Sequence, residues 1–280
     1  MEQQPVIALI QPADQPPDRM LGAARAAEEA GLEELWLWED CFAASGIAPA
    51  AAILAATSAM RVGIGLMPTP LRAPSLTAME IATLAAMFPG RFLPGLGHGV
   101  QDWMTQIGGA VASPVTLLRE QLCAIGPLLR GEEVTTSGRY VTLDRVQLRF
   151  PPAVVPPLLV GGRGPRTLAL AGALADGVIL DDAAPRGRTD PSRVAEAVGT
   201  VVAARAEAGR EGSPEVVAFL PTADDVSPAQ LAEQILVLGT SGVHRVAAFA
   251  GGVDSAPASG DRVVAFVDVL AEARDLVRRG

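Results

Sequence analysis

Ten residues carry the densest chemistry in the chain: Gly90-Arg91-Phe92-Leu93-Pro94-Gly95-Leu96-Gly97-His98-Gly99. A short apolar run ends in Gly-His-Gly, as a buried strand does where something must approach the backbone. Glycines there allow positive φ and leave no Cβ in the way of a flat ligand. His98 is the side chain that such a ligand meets, and an imidazole acts as acid or hydrogen-bond donor near neutral pH. A strand followed by a glycine-rich turn with a solvated histidine accounts for the same residues. A second stretch, Leu158-Leu159-Val160-Gly161-Gly162-Arg163-Gly164-Pro165-Arg166-Thr167, runs from a strand through glycines into a helix with proline near its start. Free backbone N–H groups at such a start form an anion site, to which Arg163 adds a charged contact. A ligand phosphate fits it, and so does an ordinary tight βα turn. The third is Glu39-Asp40, at the end of a run containing Trp36 and Trp38. Alternation puts Trp36, Trp38 and Asp40 on one face and Leu35, Leu37 and Glu39 on the other. A carboxyl beside indoles has its pKa raised and donates a proton; the alternative is a cap or an ion pair with an arginine.

These stretches lie far apart, so the fold must gather them. Short apolar runs predict strands over 6–10, 35–38, 61–66, 92–96, 158–160, 178–180, 216–220 and 245–249. Helical patterns alternate with them over 20–30, 47–57, 77–87, 114–129, 165–173, 192–208, 228–238 and 261–278, the first stopped by Gly31 and the fourth preceded by Ser113-Pro114. Eight strand–helix alternations predict a parallel sheet closed as a (β/α)8 TIM barrel, an α/β fold. Residues 131–150 have a different, β-branched texture, with short runs at 134–136, 140–142 and 146–148. They predict a small β insertion after the fourth helix, on the surface of one domain spanning 1–280. A doubly wound sheet is the runner-up, but Gly95-Leu96-Gly97-His98-Gly99 has the wrong spacing for a dinucleotide fingerprint.

A barrel places its chemistry just past its strands. The residues there are Gln11, Glu39-Asp40, Leu66-Met67, His98, Gly161-Gly162-Arg163, Asp181-Asp182, Pro221-Thr222 and Ala250-Gly251-Gly252. Trp103, Met104 and Phe42 are candidates for an apolar wall or for core. His244 begins a strand and reads as structural. Cys41 reads as a buried thiol.

The net charge is −9, and no basic cluster stands out, which argues against nucleic acid and anionic membrane surfaces as partners. All 22 basic residues are arginine, so a Schiff-base lysine and a Walker-type lysine are excluded. Two cysteines and two histidines lack metal spacing, and no metal is expected. No apolar run approaches the length of a bilayer span, and the N-terminus is polar, so a reduced, cytoplasmic protein is expected.

Four stretches in register resemble the luciferase-like monooxygenase superfamily: Gly90 to Gly99; Arg61 to Pro70 followed by Arg72-Ala73-Pro74; Pro157 to Leu168; and Ala175 to Leu180. The branch it looks most like uses the deazaflavin coenzyme F420. The resemblance implies a TIM barrel holding the cofactor ring in its mouth, against a bulge at Ile64-Gly65-Leu66, where relatives often have a non-prolyl cis peptide. It implies a cofactor site of Glu39, Gly65, Leu66, Gly97, His98, Gly99 and Val160, with the phosphate at Gly161, Gly162, Arg163 and Gly164. Many relatives carry an acidic residue and then histidine at the end of strand two, where this chain has Glu39-Asp40; some carry glutamate where Val100 follows Gly99. Proton transfer therefore falls to Asp40 or His98. A nearly absent loop after strand seven implies an open site, or one closed by a second copy in a homodimer. The implied activity is hydride transfer between the deazaflavin C5 and a small organic substrate. The rivals are an FMN-dependent monooxygenase, a non-catalytic flavin- or deazaflavin-binding barrel and, more distantly, a Cys41/His98 hydrolase.

Overall fold

Alternation of strand and helix runs almost the length of the chain. A computed structural model describes residues 4–181, 184, 189–253 and 255–279. The order is β1 (Val6–Gln11), α1 (Pro17–Glu29), β2 (Glu34–Leu37), α2 (Ile47–Ala56), β3 (Arg61–Pro68), α3 (Pro74–Met87), β4 (Phe92–Gly97), α4 (Gln101–Gln106) and α5 (Pro114–Leu129). Then come β5 (Val134–Ser137), β6 (Thr142–Val146), β7 (Leu159–Gly161), α6 (Pro165–Leu174), β8 (Gly177–Leu180), α7 (Pro191–Glu207), β9 (Glu215–Thr222), α8 (Pro228–Thr240), β10 (Arg245–Ala250) and α9 (Asp261–Arg279). The strands close in the order β1-β10-β9-β8-β7-β4-β3-β2, every neighbour parallel. This is the expected (β/α)8 barrel.

Two details differ from expectation. The insertion is a single antiparallel hairpin, β5 on β6, and 146–148 forms no third strand. The backbone amides of Arg139, Tyr140 and Val141 donate to the Glu120 carboxylate on α5, so the turn is pinned and the chain beyond β6 is spent on return. The short helix α4 follows the Gly-His-Gly turn directly, where no helix was expected.

Proline sets most helix starts: Pro17, Pro74, Pro114, Pro165, Pro191 and Pro228 each occupy the first helical turn. Its fixed φ suits that position and its missing N–H costs nothing there.

The strands bury both faces. Outward residues such as Leu9, Leu35, Leu37, Ile64, Leu96, Val160 and Leu180 pack against the helices. Inward residues Ala8, Ile10, Trp36, Leu93, Leu159, Ile179, Val217, Phe219, Ala247 and Phe249 fill the barrel. Gly63 and Gly65 admit the large rings, since a Cβ at either would overlap Trp36 or Phe219. At the strands' N-terminal ends the interior is ionic. Arg61 meets Glu34 at 2.9 Å, Arg245 meets Glu215 at 3.1 Å, and Arg245 also pairs with Glu34. Glu34 is fully buried, and burial raises its pKa while Arg245 and Arg61 oppose the rise. The floor is thus sealed, and the opening lies at the strands' C-terminal ends.

Candidate active site

A cavity of about 630 Å³ opens there. The expected residues Glu39, Asp40, Gly65, Leu66, His98, Gly99, Gly161, Gly162 and Arg163 all line it. Gly97, Val160 and Gly164 do not. Val160 points outward into the core beneath the helices, because its neighbour Gly161 takes the inward position. Gly97 is covered by Leu66, and Gly164 caps α6.

The glycines act differently from the first reading. A Cβ on Gly97 or on Gly161 would overlap the Leu66 isobutyl group, and one on Gly162 would overlap Thr167. Their missing side chains make room for protein rather than for ligand. Leu66 is clamped between β4 and β7 and becomes part of the cavity wall. It lies at a break in register between Ile64 and Met67, and the Gly65–Leu66 peptide is cis. The bulge implied for Ile64-Gly65-Leu66 is present.

Asp40 is half-buried, and no donor among the described residues bonds its carboxyl. Burial, helped by the negative charge of Asp14, raises its pKa above the ordinary carboxylate value. Glu39 differs sharply. It is only 7% exposed and receives Arg72 Nη2 at 2.6 Å, while Arg72 also meets Glu80 at 3.2 Å. Gln121 holds the backbone of that loop by donating to the Thr69 and Arg72 carbonyls.

His98 Nε2 lies 2.9 Å from Thr167 Oγ1, in the first turn of α6. Nδ1 is buried without a well-formed hydrogen bond. Burial lowers the imidazole pKa, partly offset by the nearby Pro114 carbonyl, so the ring is neutral at physiological pH. Arg163 makes two 2.8 Å bonds to Asp181. Beside them, the Gly164 and Arg166 amides donate to no acceptor among the described residues. Helix starts of this kind bind anions.

The cavity wall is largely aromatic, and of it the sequence points to Trp103 and Pro221 but not to Phe219 or Phe249. Phe219 and Phe249 line the cavity with Trp38, Trp103, Pro221 and Val100. Trp38 packs edge-on to Phe249 with centroids 4.8 Å apart, and Phe219 lies 6.4 Å from Trp38. Alternation through Val217-Phe219-Pro221 and Ala247-Phe249 was the available signal. Met104 is core and Phe42 is 70% exposed, outside the cavity lining. Gln11 turns away to donate to the Met20 carbonyl, and Asp182 lies outside the described residues. His244 Nδ1 accepts from the Val216 amide at the opposite end of the barrel, a structural role. Burial and the charges of Glu39 and Asp40 raise the Cys41 pKa, which disfavours the thiolate a hydrolase needs.

The luciferase-like monooxygenase family model matches residues 4–270. The chain belongs to that family. It is 29% identical over 218 residues to 5,10-methylenetetrahydromethanopterin reductase of Methanolobus tindarius, covering 76% of this chain and 64% of the relative. It is 32% identical over 174 residues to an F420-dependent hydroxymycolic acid dehydrogenase of Mycobacterium tuberculosis, covering 58% of this chain and 48% of that one. The matched stretch thus spans between about half and two thirds of these relatives. In fold it is similar to an F420-dependent secondary alcohol dehydrogenase solved with an F420-acetone adduct (TM-score 0.82, 20% identity, 98% of this chain and 100% of that chain). It is similar too to the F420-dependent tetrahydromethanopterin reductase of Methanopyrus kandleri (TM-score 0.79, 18% identity, 96% and 97%). Among the described residues, no helix is long and apolar enough to cross a membrane, and no cluster has the makings of a metal site.

Proposed function

We propose that this protein is an F420-dependent oxidoreductase of a small organic substrate, with Asp40 as the group that gives or takes the proton. The observation that carries this reading is the Asp40 carboxyl itself: half-buried, without a partner, and one strand away from the Gly65–Leu66 ledge. The relatives named above as F420-dependent support the choice of cofactor.

The residues fit such a cofactor. The Leu66 ledge offers a flat ring an apolar support, and the free amides at the start of α6, with Arg163 beside them, suit its phosphate. Bound there, F420 would exchange a hydride at C5 with the substrate. Asp40 holds a proton at its carboxyl to a higher pH than an ordinary aspartate, and so has one to give. A general acid so placed is typically worth about 10²–10⁴-fold in rate. His98 is a positioning residue in this reading. Its Nε2 is engaged by Thr167 and its Nδ1 is buried, so it ties the turn after β4 to the start of α6. Trp38, Phe249 and Trp103 exclude water from the space beside Asp40.

Titration of the purified protein with F420 and with FMN, followed by fluorescence, tests the cofactor. Micromolar or tighter F420 binding and clearly weaker FMN binding are expected. Equal affinity, or a preference for FMN, overturns the assignment in favour of an FMN-dependent enzyme.

A further inference from the structure

The cavity is divided along the barrel. On the β4, β7 and β8 side the lining carries His98, Arg163 and Asp181, grouped beside the start of α6, together with the apolar Val100, Trp103 and Ile179. On the β9, β10 and β2 side, contiguous around the barrel through β1, the lining is Phe219, Pro221, Phe249, Gly252, Trp38, Glu39 and Asp40. Among the described residues, Asp40 is the only ionisable group lining that second side without an ion pair. Glu39 is occupied by Arg72. No cationic side chain among the described residues lines it, and Asp14 adds a second negative charge near Asp40. Beyond β4 the rim is apolar as well: Val100 lines the cavity and is 46% exposed.

These two halves call for different ligands. An anion seated by Trp38 and Phe249 meets a carboxyl and three rings, and burying a charge without a partner is costly. A neutral molecule loses nothing there and gains the aromatic surface. The cavity is of the size that encloses one drug-sized ligand, so with a three-ring cofactor on the Leu66 ledge only a small second molecule fits.

We propose that the substrate is a small uncharged molecule with an apolar body and one carbonyl oxygen, its body packed on Trp38 and Phe249 and its oxygen at Asp40. This rests on the cofactor reading above, which gives the F420 ring the Leu66 ledge and its phosphate the start of α6. A protonated Asp40 donates to the carbonyl oxygen; an ionised one repels any carboxylate or phosphate.

Calorimetric titration of the F420-loaded protein with two matched probes tests this. They are 4-methylcyclohexanone and 4-oxocyclohexanecarboxylate, which share ring and ketone and differ in charge. The neutral ketone should bind about tenfold tighter or more, the scale set by misplacing one group in an apolar pocket. Phe249→Ser should weaken the neutral ketone by about tenfold, and Asp40→Asn should narrow the gap between the probes by admitting the carboxylate. Binding of the carboxylate as tight as the ketone, absence of ketone binding, or an unchanged gap in Asp40→Asn overturns the proposal. F420 affinity is measured first in each protein. Failure at that step overturns the cofactor reading and this one together. F420 binding without the ketone preference overturns this one alone.

Discussion

Gly161→Ala tests whether Leu66 is a wall held in place by missing side chains. The new methyl group overlaps Leu66 Cδ2, and the other atoms nearest to it are also Leu66, Cγ at 3.6 Å and Cβ at 3.8 Å. Leu66 is the neighbour that must give. Its side chain is half-exposed in the cavity, so it has open space to turn into. The backbone at Gly161 is not in the left-handed region, and alanine suits it. Replacing such a glycine gains about 0.4–1 kcal/mol from the unfolded chain, and an off-rotamer leucine costs about 0.5–1.5 kcal/mol. The two nearly cancel, so Tm should move by no more than about 2–4 °C. The cost appears in the cavity instead, where the displaced isobutyl group occupies the ledge. Overpacking is worth about 1–3 kcal/mol, or roughly five- to 150-fold in F420 affinity at 1.4 kcal/mol per decade. The assays are thermal melting and F420 titration of wild type, Gly161→Ala, Leu66→Ala and the double variant. In the double variant the methyl has nothing to displace, so the two changes should couple by about 0.5–3 kcal/mol. Wild-type affinity in Gly161→Ala, or a loss that is simply additive, refutes the clamp.

Two further outcomes are expected. Turnover in the direction that draws a proton from Asp40 should fall as pH rises through its elevated pKa, and Asp40→Asn should be slower by about 10²–10⁴-fold with that pH limb gone; the reading is the pH profile of single-turnover oxidation of the reduced cofactor. Arg72→Met leaves buried Glu39 facing Glu80 without their cation and should cost about 3–5 kcal/mol in chemical denaturation, part of it recovered by adding Glu39→Gln.

The barrel was legible because its signals are local and repeated. Eight apolar runs and eight helical patterns appear in order, and a one-residue error at an end, as between 158–160 and Leu159–Gly161, leaves the topology unchanged. The prolines at helix starts sharpen the boundaries that periodicity alone placed late, as at Pro74 against the expected start at 77. The glycines were harder. A glycine at a strand end announces a close approach, but the sequence does not say what approaches. At Gly97 and Gly161 it is Leu66, distant in sequence from both, and at Gly162 it is Thr167, brought back onto the glycine by the first turn of α6. The same limit hid Arg72. It lies between Pro70 and Pro74 in what reads as a loop, and its partners Glu39 and Glu80 come from beyond β2 and from α3.

Glu39 and Asp40 show why adjacent carboxyls at a strand end take different work. β2 ends at Leu37, and the chain beyond it presents both side chains to the cavity instead of alternating them. What separates them is then the company each keeps. Arg72 reaches Glu39 through Nη2 and Glu80 through Nε; Gly46 packs so closely that a Cβ there would come within 2.8 Å of Glu39 Oε2, which fixes the carboxylate further. A carboxylate so paired serves as a rigid negative post. Asp40 receives no bond from Arg72, lines the cavity with indole and phenyl rings, and feels the negative charge of Asp14. Desolvation and repulsion both favour its neutral form. A histidine at this position would need the opposite surroundings, since burial lowers an imidazole's pKa where it raises a carboxyl's. The surroundings of Asp40 therefore favour a neutral carboxyl, and the rings that bury it are also the wall of that side of the cavity.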